Sequence, residues 1–205
     1  MARISKAPDE RRNEFIETAE RLFFSNGFDE TAVSDIVKAL NVAQGTFYFY
    51  FKSKTEVLSA VIHKNISEAE ERLHKAMNRP FKNAGERLSV MITTFLVEHV
   101  GRSKLVTYVI RKESNVGIRQ KSIEEIVSRI TPQMEEVIRE GNANGDFKVA
   151  YPTEMASSLV GILIHLFQDI GLFHEPERRE RARLTLTQIL IHSLGAKERS
   201  IELKW

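Results

Sequence analysis

The chain has 205 residues, 42% hydrophobic and 28% charged, and a net charge of +2, the balance of a soluble globular protein without the basic excess that would announce a nucleic-acid partner. It has no cysteine, which excludes disulfides, cysteine-ligated zinc, iron–sulfur clusters and thiol chemistry. The longest apolar run, Leu159 to Phe167, is broken by Gly161 and His165 and falls short of the ~20 residues of a membrane span; Met1 to Arg12 lacks the apolar stretch of a secretory signal, so a cytoplasmic protein is expected.

Helical spacing runs through almost the whole chain. Phe15, Ile16, Ala19, Leu22 and Phe23 share one stripe, closed by Gly27. A second short helix has Thr31 as its predicted N-cap and Ile36, Val37 and Leu40 as its inner face. Asn41 suits a tight left-handed turn. A third helix spans Ala43 to about Phe51, and Ser53 is placed to cap a long fourth one with Val57, Leu58, Val61, Ile62, Ile66, Ala69, Leu73 and Met77 on its stripe. Beyond Pro80 the spacing predicts helices through Leu88–His99, through Leu105–Ile110 and, bent at Pro132, through Ile123–Ile138. Two more run from about Thr153 to Gly171 and from about Glu177 to Leu194. The expected fold is all-α, about nine helices, with an amino-terminal three-helix domain at 1–52 and a larger helical domain at 53–205.

The two short helices either side of Asn41 have the length pattern of a helix-turn-helix, which seats its second helix in the major groove. Gln44 can pair bidentately with adenine, and Gly45 lets backbone come close. Thr46, Tyr48 and Tyr50 add hydroxyls for phosphate, and Lys54, one position past the Ser53 cap, puts a cation beside free helix N–H groups. Phe47 and Phe51, four apart, are read as core. Charge is unevenly spread: Ile36 to Lys64 holds four lysines and one acid, Glu56, whereas most acids of the amino-terminal part lie on the first helix.

The stretch Phe28 to Leu58 resembles the DNA-binding domain of the tetracycline-repressor (TetR/AcrR) family of bacterial transcriptional regulators. The resemblance rests on Gly27-Phe28, Thr31, Ile36-Val37, Gly45-Thr46-Phe47-Tyr48-Phe49-Tyr50-Phe51 and Ser53-Lys54. It implies that Ser34 contacts phosphate, that Gln44, Gly45 and Thr46 approach bases or adjacent backbone, and that Tyr48, Phe49, Tyr50 and Lys54 complete the contacts. Ala43 and Gln44 stand where that family often has Ser and Lys.

In the remainder, Met91, Phe95, His99, Tyr108, Met134, His165 and Phe167 lie on apolar stripes and, as a group, are candidates to line a ligand pocket. The resemblance places a small-molecule effector among the helices after the fourth. The last two helices are apolar on more than one face, so Leu159, Leu163, Leu166, Leu186, Ile189 and Leu190 are expected at a homodimer interface, which the resemblance implies is a two-fold four-helix contact. Glu71-x-x-His74 is a single copy of a pattern that di-metal bundles need twice; no metal, cofactor or catalytic site is expected. The functional expectation is a repressor that binds a palindromic double-stranded DNA operator and is released by an apolar or amphipathic molecule. The rival is a helical carrier or adaptor whose amino-terminal domain binds protein.

Overall fold

The computed structural model describes residues 7–101, 105, 108, 109, 116–169, 172 and 175–205, with 98–101 as backbone alone. Eight helices have their bounds among these residues and no strand occurs among them. Leu105, Tyr108 and Val109 are helical too, where the sequence predicts a further helix; the rest of 102–115 lies outside the described residues.

The first helix, α1 (Pro8–Asn26), begins with Pro8 and with Asp9 and Glu10 in its first turn, residues suited to a helix start by fixed φ and by charge. It buries Phe15, Ile16, Ala19 and Phe23 and stops at Gly27, whose φ of 92° other residues rarely adopt. The second, α2, spans Val33–Ala39. Thr31 is not its N-cap. Ala32 occupies that place, with its N–H bonded to the Asp35 carboxylate at 2.8 Å. Thr31 is fully buried, its hydroxyl donating to the carbonyls of Gly27 at 2.7 Å and Leu22 at 3.3 Å, which ties the loop back to the end of α1. Asn41 turns the chain at φ 51° into α3 (Gln44–Tyr50). Ser53 caps α4 (Lys54–Met77) as expected, accepting from the Glu56 N–H at 3.1 Å, while the Glu56 carboxylate accepts from the Lys52 N–H at 2.6 Å.

Four further helices complete the body: α5 (Ala84–Gly101), α6 (Val116–Ala143), α7 (Pro152–Gln168) and α8 (Pro176–Leu194). Pro132 lies inside α6, which continues through it. α1 packs on α2 and α4, α2 on α3, α4 on α5 and α6, and α7 on α5 and α6. The buried residues form one cluster from Phe15 to Leu203. Its last members belong to an extended tail, Ile201–Trp205, laid along α5: the N–H groups of Glu202 and Lys204 donate to Ser89 Oγ at 3.0 Å and Thr93 Oγ1 at 3.2 Å. Arg183 of α8 reaches the Leu203 carbonyl at 3.0 Å, so α5 and α8 flank the tail. No helix among the described residues is long and apolar enough to cross a membrane.

Candidate nucleic-acid interface

Three phenylalanines decide which way α3 faces. Phe15 of α1 meets Phe47 edge-on at 5.6 Å and Phe51 at 6.3 Å, and Phe47 lies 5.7 Å from Phe51. All three are at most 1% exposed, so the side of α3 carrying Phe47 is pinned to α1, with aromatic geometry adding to the area buried. The opposite side carries Gln44, Gly45, Tyr48 and Phe49, spaced i, i+1, i+4, i+5 and all exposed. Phe49 is 78% and Tyr48 52% exposed, so this side of α3 offers aromatic surface to a partner. Ser34 is exposed on α2, and Thr46 is half-buried. Tyr50 is half-buried as well, its ring 5.8 Å from Phe15 and 4.9 Å from Phe49.

Lys54 has partners within the chain. The sequence places its ammonium on phosphate, yet the structure points it at the loop between α1 and α2, where it donates to the carbonyls of Phe28 at 2.7 Å, Thr31 at 2.8 Å and Asp29 at 3.2 Å. It also lies 4.4 Å from the centre of the Phe28 ring. An ammonium has three donors, and these carbonyls use them. Acidic α1 is tied down in its turn: Lys64 of α4 pairs with Glu20 at 2.6 Å and with Glu68 at 3.1 Å. Burial opposes the charge on Lys64, but the bonds to Glu20 and Glu68 outweigh it and raise its pKa.

The pocket candidates among the described residues are spread between core and surface. Met91, Phe95 and Met134 are core residues, Phe167 is half-buried and His165 is exposed; the His99 side chain lies outside the described residues. Phe95 borders a space of about 20 Å³ with Ile66, Leu73, Thr94, Ile126 and Ile130, room for about one water. Tyr108 faces the other way. Its ring leans on Phe28 at 5.2 Å and its hydroxyl donates to the Asp29 carboxylate at 3.0 Å. Sequence reasoning missed this contact because its partners are 79 residues apart and nothing local marks either.

The dimer candidates divide as well. Leu159, Leu163, Leu186 and Leu190 are buried within the single chain, Leu166 is half-buried and Ile189 is 40% exposed. The tail runs beside α8, where Arg183 reaches the Leu203 carbonyl. Leu184, 50% exposed, joins Ile189 on the outer side of α8. Glu71 and His74 are both exposed, and no group suited to a metal ion occurs among the described residues.

A three-helix unit that buries one side of α3 and exposes the other, mounted on a helical body, defines a helix-turn-helix DNA-binding regulator. Residues 15–61 match the family model described as bacterial regulatory proteins, tetR family. The chain is 28% identical over 149 residues to the fatty acid metabolism regulator protein of Bacillus subtilis, covering 72% of this chain and 76% of that protein. Among solved structures, a TetR-family regulator from Pectobacterium atrosepticum superposes with a TM-score of 0.70 at 18% identity, over 93% of this chain and 96% of that one. The regulator FadR of Bacillus subtilis, in complex with stearoyl-CoA, gives 0.64 at 22%, over 88% and 98%. Residues 15–61 thus match the DNA-binding domain of the TetR family of bacterial regulators, and the whole chain shares the fold of solved TetR-family regulators.

Proposed function

We propose that the protein is a homodimeric cytoplasmic repressor whose unit 1–52 reads one half of a palindromic operator, and whose body 53–205 pairs two protomers and senses an apolar or amphipathic molecule. The observation that carries this reading is the exposed face of α3, where Gln44 offers bidentate pairing to a base while Tyr48 and Phe49 offer a hydroxyl and an apolar surface. Ser34, Thr46 and Tyr50 add hydroxyls for phosphate. Gly45 permits close backbone approach. Two such helices need to stand about 34 Å apart to enter successive major grooves, and an effector that favours another separation releases the DNA.

Long-chain acyl-CoA is the first effector class to test, because a fatty acid metabolism regulator is among the relatives and one structural neighbour was solved with stearoyl-CoA. The space beside Phe95 is far below the 300–1,000 Å³ of a small-molecule site. An acyl chain seated beside Phe95 would part α4, α5 and α6, and that movement is the proposed source of coupling.

The test is duplex binding by genomic fragments across a salt series, with and without stearoyl-CoA. Steep salt dependence and release by the acyl-CoA are expected. A flat salt response favours a protein-binding adaptor, and retention of DNA at saturating acyl-CoA removes this effector class.

A further inference from the structure

We propose that Tyr108 is a positioning residue for DNA recognition, fixing the attitude of the helix-turn-helix unit on the helical body through Phe28 and Asp29; this rests on the operator-binding reading above. The unit joins the body through α4, whose first turns share its core through Val57, Leu58 and Val61. A single rod leaves two freedoms, bending along α4 and rotation about it. A second attachment away from the α4 axis removes both, and Tyr108 supplies one.

The attachment point has no slack. Phe28 is gripped from two sides, by the Tyr108 ring at 5.2 Å and by the Lys54 ammonium at 4.4 Å. The carbonyls of Phe28, Asp29 and Thr31 are held by Lys54, and the buried Thr31 hydroxyl fastens the loop to Gly27 and Leu22. Two residues past Thr31 the chain enters α2. A displacement at Asp29 thus passes into α2 and, through its packing, into α3. The hydroxyl of Tyr108 reaches Asp29 where that residue is exposed, so the bond can be removed without opening a cavity. The bond therefore bears on the direction in which α3 points.

The experiment uses full-length protein. Selection from random-sequence duplexes gives the wild-type site, and a second set of duplexes varies only the base pairs between its half-sites. Tyr108→Phe and Asp29→Ala are each expected to reduce discrimination between the best spacing and its neighbours by roughly three- to tenfold. The double variant should match either single one, with the thermal midpoint unmoved throughout. Spacing preference unchanged in both single variants overturns the proposal. So does additivity, or a uniform loss of affinity at every spacing with a lowered midpoint, which leaves the contact a stabilising role alone. A wild type that enriches no two-fold site overturns the operator reading, and this proposal with it, before any variant is made.

Discussion

The ammonium of Lys54 donates to the carbonyl of Phe28 at 2.7 Å and lies 4.4 Å from the centre of the same residue's ring. One side chain at the start of α4 therefore holds both the backbone and the side chain of the loop that opens α2. Lys54→Ala leaves three carbonyls without that donor and should cost roughly 1–3 kcal/mol of stability. Operator affinity should fall too, because the loop loosens. The slope of log affinity against log salt should stay as in the wild type, since the lost cation is not on phosphate. Urea melts and a salt series check both halves, and a slope reduced by about one restores the phosphate role.

The exposed side of α3 was legible wherever its cause is local. The i, i+4 pair Phe47 and Phe51 marks the buried side of α3 and so leaves Tyr48 and Phe49 outside, as observed. Ser53 as a cap and Asn41 in a left-handed turn follow from each residue's own chemistry. What the sequence hid depends on partners distant along the chain. Thr31 has the chemistry of an N-cap, yet its hydroxyl is spent on α1. Lys54 has the chemistry of a phosphate seat, yet carbonyls more than twenty positions earlier occupy it. The apolar width of α7 is taken up by α5 and α6, whereas α8 has the tail beside it and an open outer side, and periodicity cannot separate these causes.

That separation gives a prediction for the dimer. Leu163 is 1% exposed within one chain, whereas Ile189 is 40% exposed. Leu163→Glu should unfold the protein, because an unpaired carboxylate is placed in its core. Ile189→Glu should leave the helical signal and thermal midpoint of the protomer intact while light scattering falls to the monomer mass. An Ile189→Glu protein that remains dimeric moves the interface off this side of α8.

Glu135 provides a pH-dependent link between α6 and α7. Its pKa is lowered, first by the hydrogen bond from Arg139 at 2.8 Å and then by that from Thr153 at 2.9 Å. A carboxyl with a depressed folded-state pKa contributes stability that is present above its unfolded value, about 4.3, and lost as pH falls through the lower folded value. Melts of Glu135→Gln and wild type should therefore differ at neutral pH and converge in acid. A constant offset across the range would assign the effect to packing.

The tail offers the sharpest steric test. A Cβ at Gly85 would stand 2.4 Å from the Ser200 carbonyl oxygen and 2.9 Å from its carbon, both backbone atoms that yield only if the tail moves. Movement breaks the bonds from Glu202 to Ser89 and from Lys204 to Thr93 and lifts Ile201 and Leu203, each 1% exposed. Exposing one such side chain costs about 1.5–3 kcal/mol, more than the ~1 kcal/mol that alanine gains over glycine in a helix. Gly85→Ala should accordingly be destabilised, against the helix-propensity trend. Trp205, the only tryptophan, packs on the core beside these residues, so its emission should shift to the red in the folded variant as the tail lifts into water. Ser89→Ala removes only the acceptor for Glu202 and should cost about 1 kcal/mol with a smaller shift. If Gly85→Ala is more stable than wild type and its emission is unchanged, the tail does not lie on α5 in solution, and a second subunit becomes the cover for the inner side of α8.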